Sequence, residues 1–131
     1  MKVPQTKNFS PELDEKFACT CCGDGGLSIA TLILLETIKT HYKGAIVHIH
    51  SAARCKQYNS LVGGSKKSEH LSTLEEPLVD AVDIHVEGVS VQELYLYLKS
   101  LPYANLLGIG KYIADGFVHV DTRGYGARWV G

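Results

Sequence analysis

The chain has 131 residues, a length typical of a single domain. Hydrophobic residues make up 45% of it and charged residues 21%, so an ordinary globular core can form without disulfides or metal ions. Its formal net charge of −1 excludes the strongly basic balance that is typical of nucleic-acid-binding proteins. We therefore expect one domain spanning residues 1–131 and no nucleic-acid partner.

The first 26 residues are predicted to form a mostly irregular arm that ends in a glycine-rich turn at 23–26. The opening segment lacks the apolar run of a secretory signal. The longest apolar stretch, 27–35, is interrupted by Ser28 and Thr31 and is too short to cross a membrane. We expect a monomeric protein that is made in the cytoplasm and does not insert into membranes.

The chain contains four cysteines, Cys19, Cys21, Cys22 and Cys55. Three clustered cysteines and a distant fourth suggest a structural zinc site, but the two Cys-x-x-Cys pairs of a zinc ribbon are absent. The favoured interpretation is plain thiols or one bridge of the Cys19–Cys55 type, and a metal site is the alternative.

The first half of the chain beyond the arm contains one clear helix and one strand. Apolar residues from Leu27 to Ile38 recur at helical spacing, which predicts a helix over 28–41. Residues 45–50 alternate as in a β-strand. The polar segment 51–67 is predicted to form a short helical turn followed by a loop.

The second half contains one more helix and three strands. Ser90 and Glu93 form a capping box that opens a helix, which Pro102 ends. The predicted strands are Asp80–Val86, Leu107–Tyr112 and Phe117–Asp121, and the last two form a hairpin around Asp115-Gly116. Helices against a small antiparallel sheet predict the α+β class. Arg128-Trp129 is expected to cap the core.

Three separate segments each contain a good metal ligand, namely His70, Asp83 and His119. A catalytic zinc takes three protein ligands and keeps one open position. Asp83 and His119 lie among apolar strand neighbours, where an unpaired polar group is costly and a shared cation removes the cost. From the residues alone, two interpretations stay open: hydrogen-bonded core residues, or the ligands of a metal hydrolase.

Several short motifs follow one another in order along the chain. They are Phe9-Ser10, Phe17-x-Cys19, Ser51-Ala52-Ala53-Arg54-Cys55, Tyr58-Asn59, Val62-Gly63-Gly64, Ser68-x-His70-Leu71, Ala81-Val82-Asp83-Ile84, Gly108-Ile109-Gly110-x-Tyr112 and Phe117-Val118-His119-Val120-Asp121. Together they resemble the zinc D-Ala-D-Ala peptidase family, in the branch common among phage and bacterial cell-wall enzymes. The resemblance covers residues 9–129 and implies a hedgehog/DD-peptidase-like α+β fold.

The resemblance implies that His70, Asp83 and His119 bind Zn²⁺. It also implies that Arg54 binds a substrate carboxylate or stabilises the developing oxyanion, for which a planar guanidinium is well suited. A surface ion pair is the ordinary alternative for Arg54. One departure from the family pattern is the longer 71–79 loop between the first two ligands, which lies next to the expected cleft.

Three further residues receive roles from the resemblance. Asp115, four residues before His119, is the candidate general base, and an Asp-Gly hairpin turn is its ordinary alternative. Asp121 lies on the same strand face as His119 and is expected to orient a ligand or bind substrate. Ser68 is expected to shape the approach to His70 and contribute to substrate binding.

The leading hypothesis is a zinc metallopeptidase that hydrolyses peptidoglycan stem peptides, as a D-Ala-D-Ala carboxypeptidase or as an endopeptidase of the endolysin type. Such a protein would act on the cell wall after release, during phage lysis or as part of a virion. The alternative is a catalytically inactive zinc-binding module of the same fold with a structural or partner-binding role. A third hypothesis is a thiol-dependent protein built on Cys19, Cys21 and Cys22.

Overall fold

The structure is a computed structural model that describes residues 3–10, 13–19, 22–23, 25–64, 68–73 and 75–131. Within these ranges the α-helices are α1 (Ile29–His41), α2 (Lys56–Leu61) and α3 (Val91–Ser100). The main sheet has five strands, which lie in the order β2 (Val47–Ser51), β4 (Ala81–Val86), β6 (Phe117–Asp121), β5 (Gly108–Tyr112) and β7 (Ala127–Val130). The strands β1 (Gly26–Leu27) and β3 (Leu78–Val79) form a separate parallel pair. The predicted α+β class is confirmed.

Side-chain caps fix where the two longer helices begin. The Ser28 hydroxyl accepts a hydrogen bond from the Thr31 amide at the start of α1, and the Ser90 hydroxyl accepts one from the Glu93 amide at the start of α3. Each cap satisfies an amide that the first helical turn leaves without a partner. The structure thus confirms both predicted helices, and neither they nor α2 is long and apolar enough to span a membrane.

The central strands β4 and β6 have one apolar face and one polar face. Their alternating valines and isoleucine are fully buried and pack with the apolar sides of α1 and α3. The other face of the same strands carries Asp83, His119 and Asp121, which are also buried. Because successive strand residues point to opposite sides, one short strand pair provides both the core and the floor of a polar site.

The C-terminal strand β7 differs from the expectation that Arg128-Trp129 merely caps the core. It pairs in parallel with β5 at the edge of the sheet, whereas the other neighbouring strands of this sheet pair antiparallel. The sheet is therefore mixed rather than purely antiparallel. A four-residue edge strand without a buried apolar alternation carries little periodic signal in the sequence.

The N-terminal arm packs on the domain although it contains little regular structure. It includes a short 3-10 helix, Glu15–Phe17, and one strand residue, Gly26. Phe9, Phe17 and Cys19 are buried, and the Ala53 amide donates a hydrogen bond to the Phe17 carbonyl. The arm therefore contacts the segment that leads from β2 to α2.

Candidate metal centre

His70, Asp83 and His119 converge on the polar face of the sheet. Asp83 and His119 are direct cross-strand partners in β4 and β6, and His70 comes from the segment after α2. All three are more than nine-tenths buried, with relative exposures of 1%, 7% and 7%. The structure thus brings together the three predicted ligands, which are 13 and 36 residues apart in the sequence.

The three inward-facing atoms form a nearly equilateral triangle. The His70 Nε2 atom lies 3.2 Å from Asp83 Oδ1 and 3.2 Å from His119 Nδ1, and these last two atoms are 3.0 Å apart. Nitrogen and oxygen ligands about 2.0–2.1 Å from a tetrahedral zinc lie about 3.3 Å from one another. The spacing of the three atoms therefore fits a single zinc ion.

The outward-facing nitrogens of both imidazoles already have acceptors. His70 Nδ1 donates to the Ala52 carbonyl at 2.7 Å, and His119 Nε2 donates to Asp121 Oδ2 at 2.7 Å. A neutral imidazole carries one N–H, so these bonds leave His70 Nε2 and His119 Nδ1 as lone pairs. Both lone pairs face the Asp83 carboxylate. Three converging acceptors need a cation, either a metal ion or a proton on one imidazole.

Asp121 orients His119 and is itself held by an arginine. Its carboxylate is fully buried and accepts two hydrogen bonds from the Arg123 guanidinium, each 2.7 Å long. Burial alone would raise the pKa of Asp121, but the hydrogen bonds from Arg123 and His119 outweigh it and lower the pKa. The ionised carboxylate therefore fixes the tautomer of His119.

The charges within the triad favour an ion pair when no metal is bound. Burial raises the pKa of Asp83, but its close contacts with His119 and His70 outweigh that effect and hold this pKa well below the ordinary value. Burial lowers the pKa of His119, but the hydrogen bonds to Asp121 and Asp83 outweigh burial, so the pKa of His119 is raised. A metal ion would therefore compete with a proton for His119.

Two glycines of β5 make room for the groups around His119. A Cβ atom at Gly108 would collide with the Asp121 carboxylate and the Arg123 guanidinium. A Cβ atom at Gly110 would collide with the indole of Trp129, whose ring centre lies 4.9 Å from that of His119. These contacts give a physical reason for the Gly-x-Gly spacing in the motif Gly108-Ile109-Gly110.

A cleft of about 540 Å³ opens above the triad. Its walls are formed by Arg54, Val62, Gly63, Gly64, Ser68, Glu69, Tyr112, Phe117, Arg123 and Trp129. The Trp129 indole donates a hydrogen bond to the Tyr112 hydroxyl at 2.7 Å, which fixes two aromatic side chains of one wall. The volume lies within the usual range for ligand sites.

Arg54 lies in the cleft with hydrogen-bonding capacity to spare. Its Nη2 atom donates to the Ser68 hydroxyl at 3.4 Å, and its Nε atom is buried without a partner in the described part of the chain. Burial lowers the pKa of Arg54, and the Asp83 carboxylate opposes that shift. A desolvated guanidinium with unused donors is suited to bind an anionic group.

The backbone holds Arg54 and His70 in register. The Arg54 amide donates to the His70 carbonyl, and the Ser72 amide donates to the Arg54 carbonyl, both at 2.7 Å. The Ser68 hydroxyl accepts a hydrogen bond from the His70 amide at 3.1 Å. Ser68 therefore contacts both Arg54 and the segment of His70, in keeping with its predicted place at the approach to that ligand.

Asp115 is the one predicted site residue that the structure does not bring to the triad. It is exposed in the turn between β5 and β6 and does not line the cleft, whereas His119 lies in mid-strand. Glu69 does line the cleft, although the sequence interpretation gave it no role. Burial, followed by the negative charge of Asp121, raises the pKa of Glu69. Its position directly before His70 was the available signal.

The described residues of the longer 71–79 loop pack away from the cleft. The Pro77 carbonyl accepts hydrogen bonds from the Gly26 amide at 3.1 Å and from the Ser72 hydroxyl at 3.0 Å. The end of the loop forms β3, which pairs with β1. No described residue of the loop lines the cleft, and the end of the loop packs against β1 instead.

Other histidines on the polar face bind to one another. His50 Nε2 lies 2.7 Å from His85 Nδ1, and the rings of His48 and His85 stack with centres 4.4 Å apart. Among the described residues, the groups of three or more closely spaced potential metal ligands are the triad and the set Cys19, Cys22 and Cys55.

The fold and the three converging acceptors define a small α+β protein with the type of site that metallopeptidases use. The family model Peptidase M15 matches residues 8–121. The chain belongs to this family, because the match covers most of its length, and the resemblance stated from the motifs is confirmed. No curated protein and no solved structure gives a significant match.

Proposed function

We propose that this protein is a zinc-dependent peptidase that hydrolyses peptidoglycan stem peptides, either by removing a terminal D-Ala or by cutting within the peptide. The observation that carries the proposal is the set of three inward-facing lone pairs on His70, Asp83 and His119. In the neutral form that binds a metal, each imidazole commits its one N–H elsewhere, His70 to the Ala52 carbonyl and His119 to Asp121. Membership of the Peptidase M15 family supports the reaction class.

The donor set suits zinc. Two imidazole nitrogens and one carboxylate oxygen would hold the ion and leave one position open, as in catalytic zinc sites. When bound, zinc polarises the scissile carbonyl and lowers the pKa of a bound water. Asp121 keeps the His119 lone pair directed inward, and Arg123 keeps Asp121 ionised.

Arg54 is proposed to bind the carboxylate of the substrate. The cleft contains two described arginines, but Arg123 is engaged by Asp121 whereas the Nε atom of Arg54 lacks a partner. A free C-terminal carboxylate of a stem peptide provides a matching bidentate acceptor. A carboxypeptidase would need this contact, and an endopeptidase would use it for an internal carboxylate or for the developing oxyanion.

A carboxylate in the cleft is needed to accept a proton from the attacking water. We propose Glu69 for this role, because it lines the cleft beside His70, whereas Asp115 is exposed in the turn between β5 and β6 and does not line the cleft. If Glu69 does not serve as the base, the alternative of an inactive zinc-binding module gains support. The position of Asp115 is the observation that favours that alternative.

The cell wall is the proposed place of action, reached after release during phage lysis or as part of a virion. The support for this setting is the resemblance of the motifs to cell-wall enzymes. We also propose that the protein acts as a monomer, because one chain supplies every group that the proposed site needs, namely the triad, Arg54 and Glu69.

Mass spectrometry of purified peptidoglycan digested with and without a chelator tests the proposal. Loss of one terminal D-Ala would identify a carboxypeptidase, and new internal ends would identify an endopeptidase. Zinc should restore the activity that the chelator removes, and Glu69→Gln should lower the turnover rate while zinc stays bound. Bound zinc without any new peptide product would contradict the peptidase proposal and support the inactive module.

A further inference from the structure

The sulfur atoms of Cys19, Cys22 and Cys55 lie within 4.8 Å of one another. Cys19 and Cys22 belong to the N-terminal arm, and Cys55 directly precedes α2. The three residues become close only because the arm packs against the segment after β2, where the Ala53 amide donates to the Phe17 carbonyl. The cluster is separate from the cleft, since none of the three cysteines lines it.

Backbone amides already donate to two of these sulfurs. The Cys55 amide donates to Cys19 Sγ, and the Tyr58 amide donates to Cys55 Sγ, both at 3.3 Å. Hydrogen bonds of this kind stabilise negative charge on sulfur and are common around metal-bound thiolates. Cys19 is buried, Cys55 is half-buried and Cys22 is exposed, so the cluster has a closed side and a side open to solvent.

The spacing of the sulfurs is close to what one zinc ion requires. Thiolates about 2.3 Å from a tetrahedral zinc lie about 3.8 Å from one another. A contraction of at most about 1 Å would bring the set to that distance, and the exposed Cys22 can move most easily. Thiolate sulfur is also a ligand that zinc binds tightly.

We propose that Cys19, Cys22 and Cys55 bind a second Zn²⁺ ion as thiolates, in a structural site independent of His70, Asp83 and His119. On binding, each thiol loses its proton to solvent and each sulfur forms a bond to the ion, so no oxidant or reductant is required.

The zinc would tie the arm to the wall of the cleft. Cys55 directly follows Arg54, and the Arg54 backbone is hydrogen-bonded to the His70 carbonyl and to the Ser72 amide. A metal bond at Cys55 therefore restrains the segment that carries Arg54. The site is expected to raise the thermal stability of the domain and to leave the chemistry of the triad unchanged.

Zinc content by elemental mass spectrometry, measured on protein purified with a mild reductant and without chelator, tests the inference. The full chain should contain two zinc ions, and both Cys22→Ser and His119→Ala should contain one. Cys22 is exposed, so its serine variant should fold, and its zinc affinity at this site should fall at least about tenfold. A lower unfolding temperature with the peptidase rate unchanged is expected for the same variant.

Cobalt substitution separates the two sites, because only thiolate ligands give an intense sulfur-to-cobalt charge-transfer band. That band should persist in His119→Ala and be lost in Cys22→Ser. A single zinc that disappears in His119→Ala, with no charge-transfer band in the full chain, would overturn the thiolate site and leave the proposed peptidase site standing. A disulfide between any two of the three cysteines in the reduced preparation would overturn it as well.

Discussion

The two faces of β4 and β6 are both largely buried, but different interactions stabilise them. On one face, Val82, Ile84 and Val118 are fully removed from water, which contributes roughly 25 cal/mol for each Å² of apolar surface. On the other face, Asp83 and His119 are 7% exposed and stable only with partners of opposite charge or hydrogen-bonding type. The same two strands therefore stabilise the fold on one side without any ligand and carry a ligand-dependent site on the other.

Several partners of the polar face come from outside these two strands. The Ala52 carbonyl accepts a hydrogen bond from His70, and the Arg123 guanidinium neutralises Asp121. The cation proposed between His70, Asp83 and His119 completes the set. Substitutions on the two faces should therefore separate stability from metal binding.

The largest expected effect is that of Asp83→Ala. Loss of the only anionic ligand of the triad should abolish zinc binding at that site and reduce peptidoglycan hydrolysis to background. The matched control is Ile84→Val on the opposite face of the same strand. It should cost about 0.5–1.5 kcal/mol of unfolding free energy and retain zinc and activity. The measurements are urea unfolding, zinc content and product release.

Equal hydrolysis rates for Asp83→Ala and Ile84→Val would break the distinction between the two faces. The same conclusion would follow if Ile84→Val lost its zinc as completely as Asp83→Ala.

A smaller effect is expected for Asp121→Asn. The amide keeps the shape of the carboxylate but loses the charge that fixes the tautomer of His119 and pairs with Arg123. Zinc affinity should fall about 10–100-fold, as is usual when a group that orients a metal ligand is changed. Competition with a chromophoric chelator measures this affinity. An affinity equal to that of the unmodified protein would show that Asp121 does not act through His119.

The polar face should also give zinc binding a pH dependence. The pKa of His119 is raised, so a proton competes with zinc, and apparent affinity should fall about tenfold per pH unit once the pH drops below that value. Without metal, the His119 ion pair stabilises the fold below the ordinary histidine pKa, and this contribution is lost as the pH rises through the raised value. The pKa values of Asp83 and Asp121 are lowered, so the pH dependence of their stabilisation has the opposite sign. Their contribution to folding stability is present above the ordinary aspartate pKa and is lost as the pH falls from there towards the lowered values.

Thermal unfolding with and without a chelator, between about pH 5 and pH 8, measures this dependence. The stabilisation by zinc should grow as the pH rises. A stabilisation that is constant over the range would mean that zinc displaces no proton from the site.

The smallest effect is expected for Gly110→Ala. The added methyl group meets the Trp129 indole, so the tryptophan must shift, at a cost of about 1–3 kcal/mol of unfolding free energy. Zinc affinity should change less than in Asp121→Asn, because Gly110 supplies no ligand atom and makes no hydrogen bond that orients one. A double-mutant cycle with Trp129→Ala tests the collision. Gly110→Ala should cost less unfolding free energy in the Trp129→Ala background than in the unmodified protein, because the indole that it meets is gone. Purely additive effects would contradict the proposed collision.

The sequence predicts the elements whose signals are local. The helices α1 and α3 have strong caps at Ser28 and Ser90, and four of the five main strands contain enough alternating apolar residues to be recognised. The strand β7 was not predicted, because a four-residue edge strand without buried apolar residues leaves little periodic signal in the sequence. The triad was predicted from ordered motifs, since no spacing rule connects residues that are so far apart in the chain.

Other features depend on packing that the sequence does not reveal. Asp115 is only four residues from His119 in the chain, but it lies in the exposed turn of the β5–β6 hairpin. Glu69, in contrast, lines the cleft. The convergence of Cys19 and Cys55 requires the arm to fold back over the segment after β2. Neither outcome follows from local propensity, because both depend on contacts between distant segments.

Anomalous diffraction at the zinc absorption edge, from crystals grown with zinc, tests the central claim most directly. The account predicts a peak about 2.0–2.2 Å from His70 Nε2, Asp83 Oδ1 and His119 Nδ1. A peak near the three sulfurs would be read separately and has no bearing on this prediction. The absence of a peak within the triad, with His119 still bonded directly to Asp83, would contradict the metal site on which the proposed function rests.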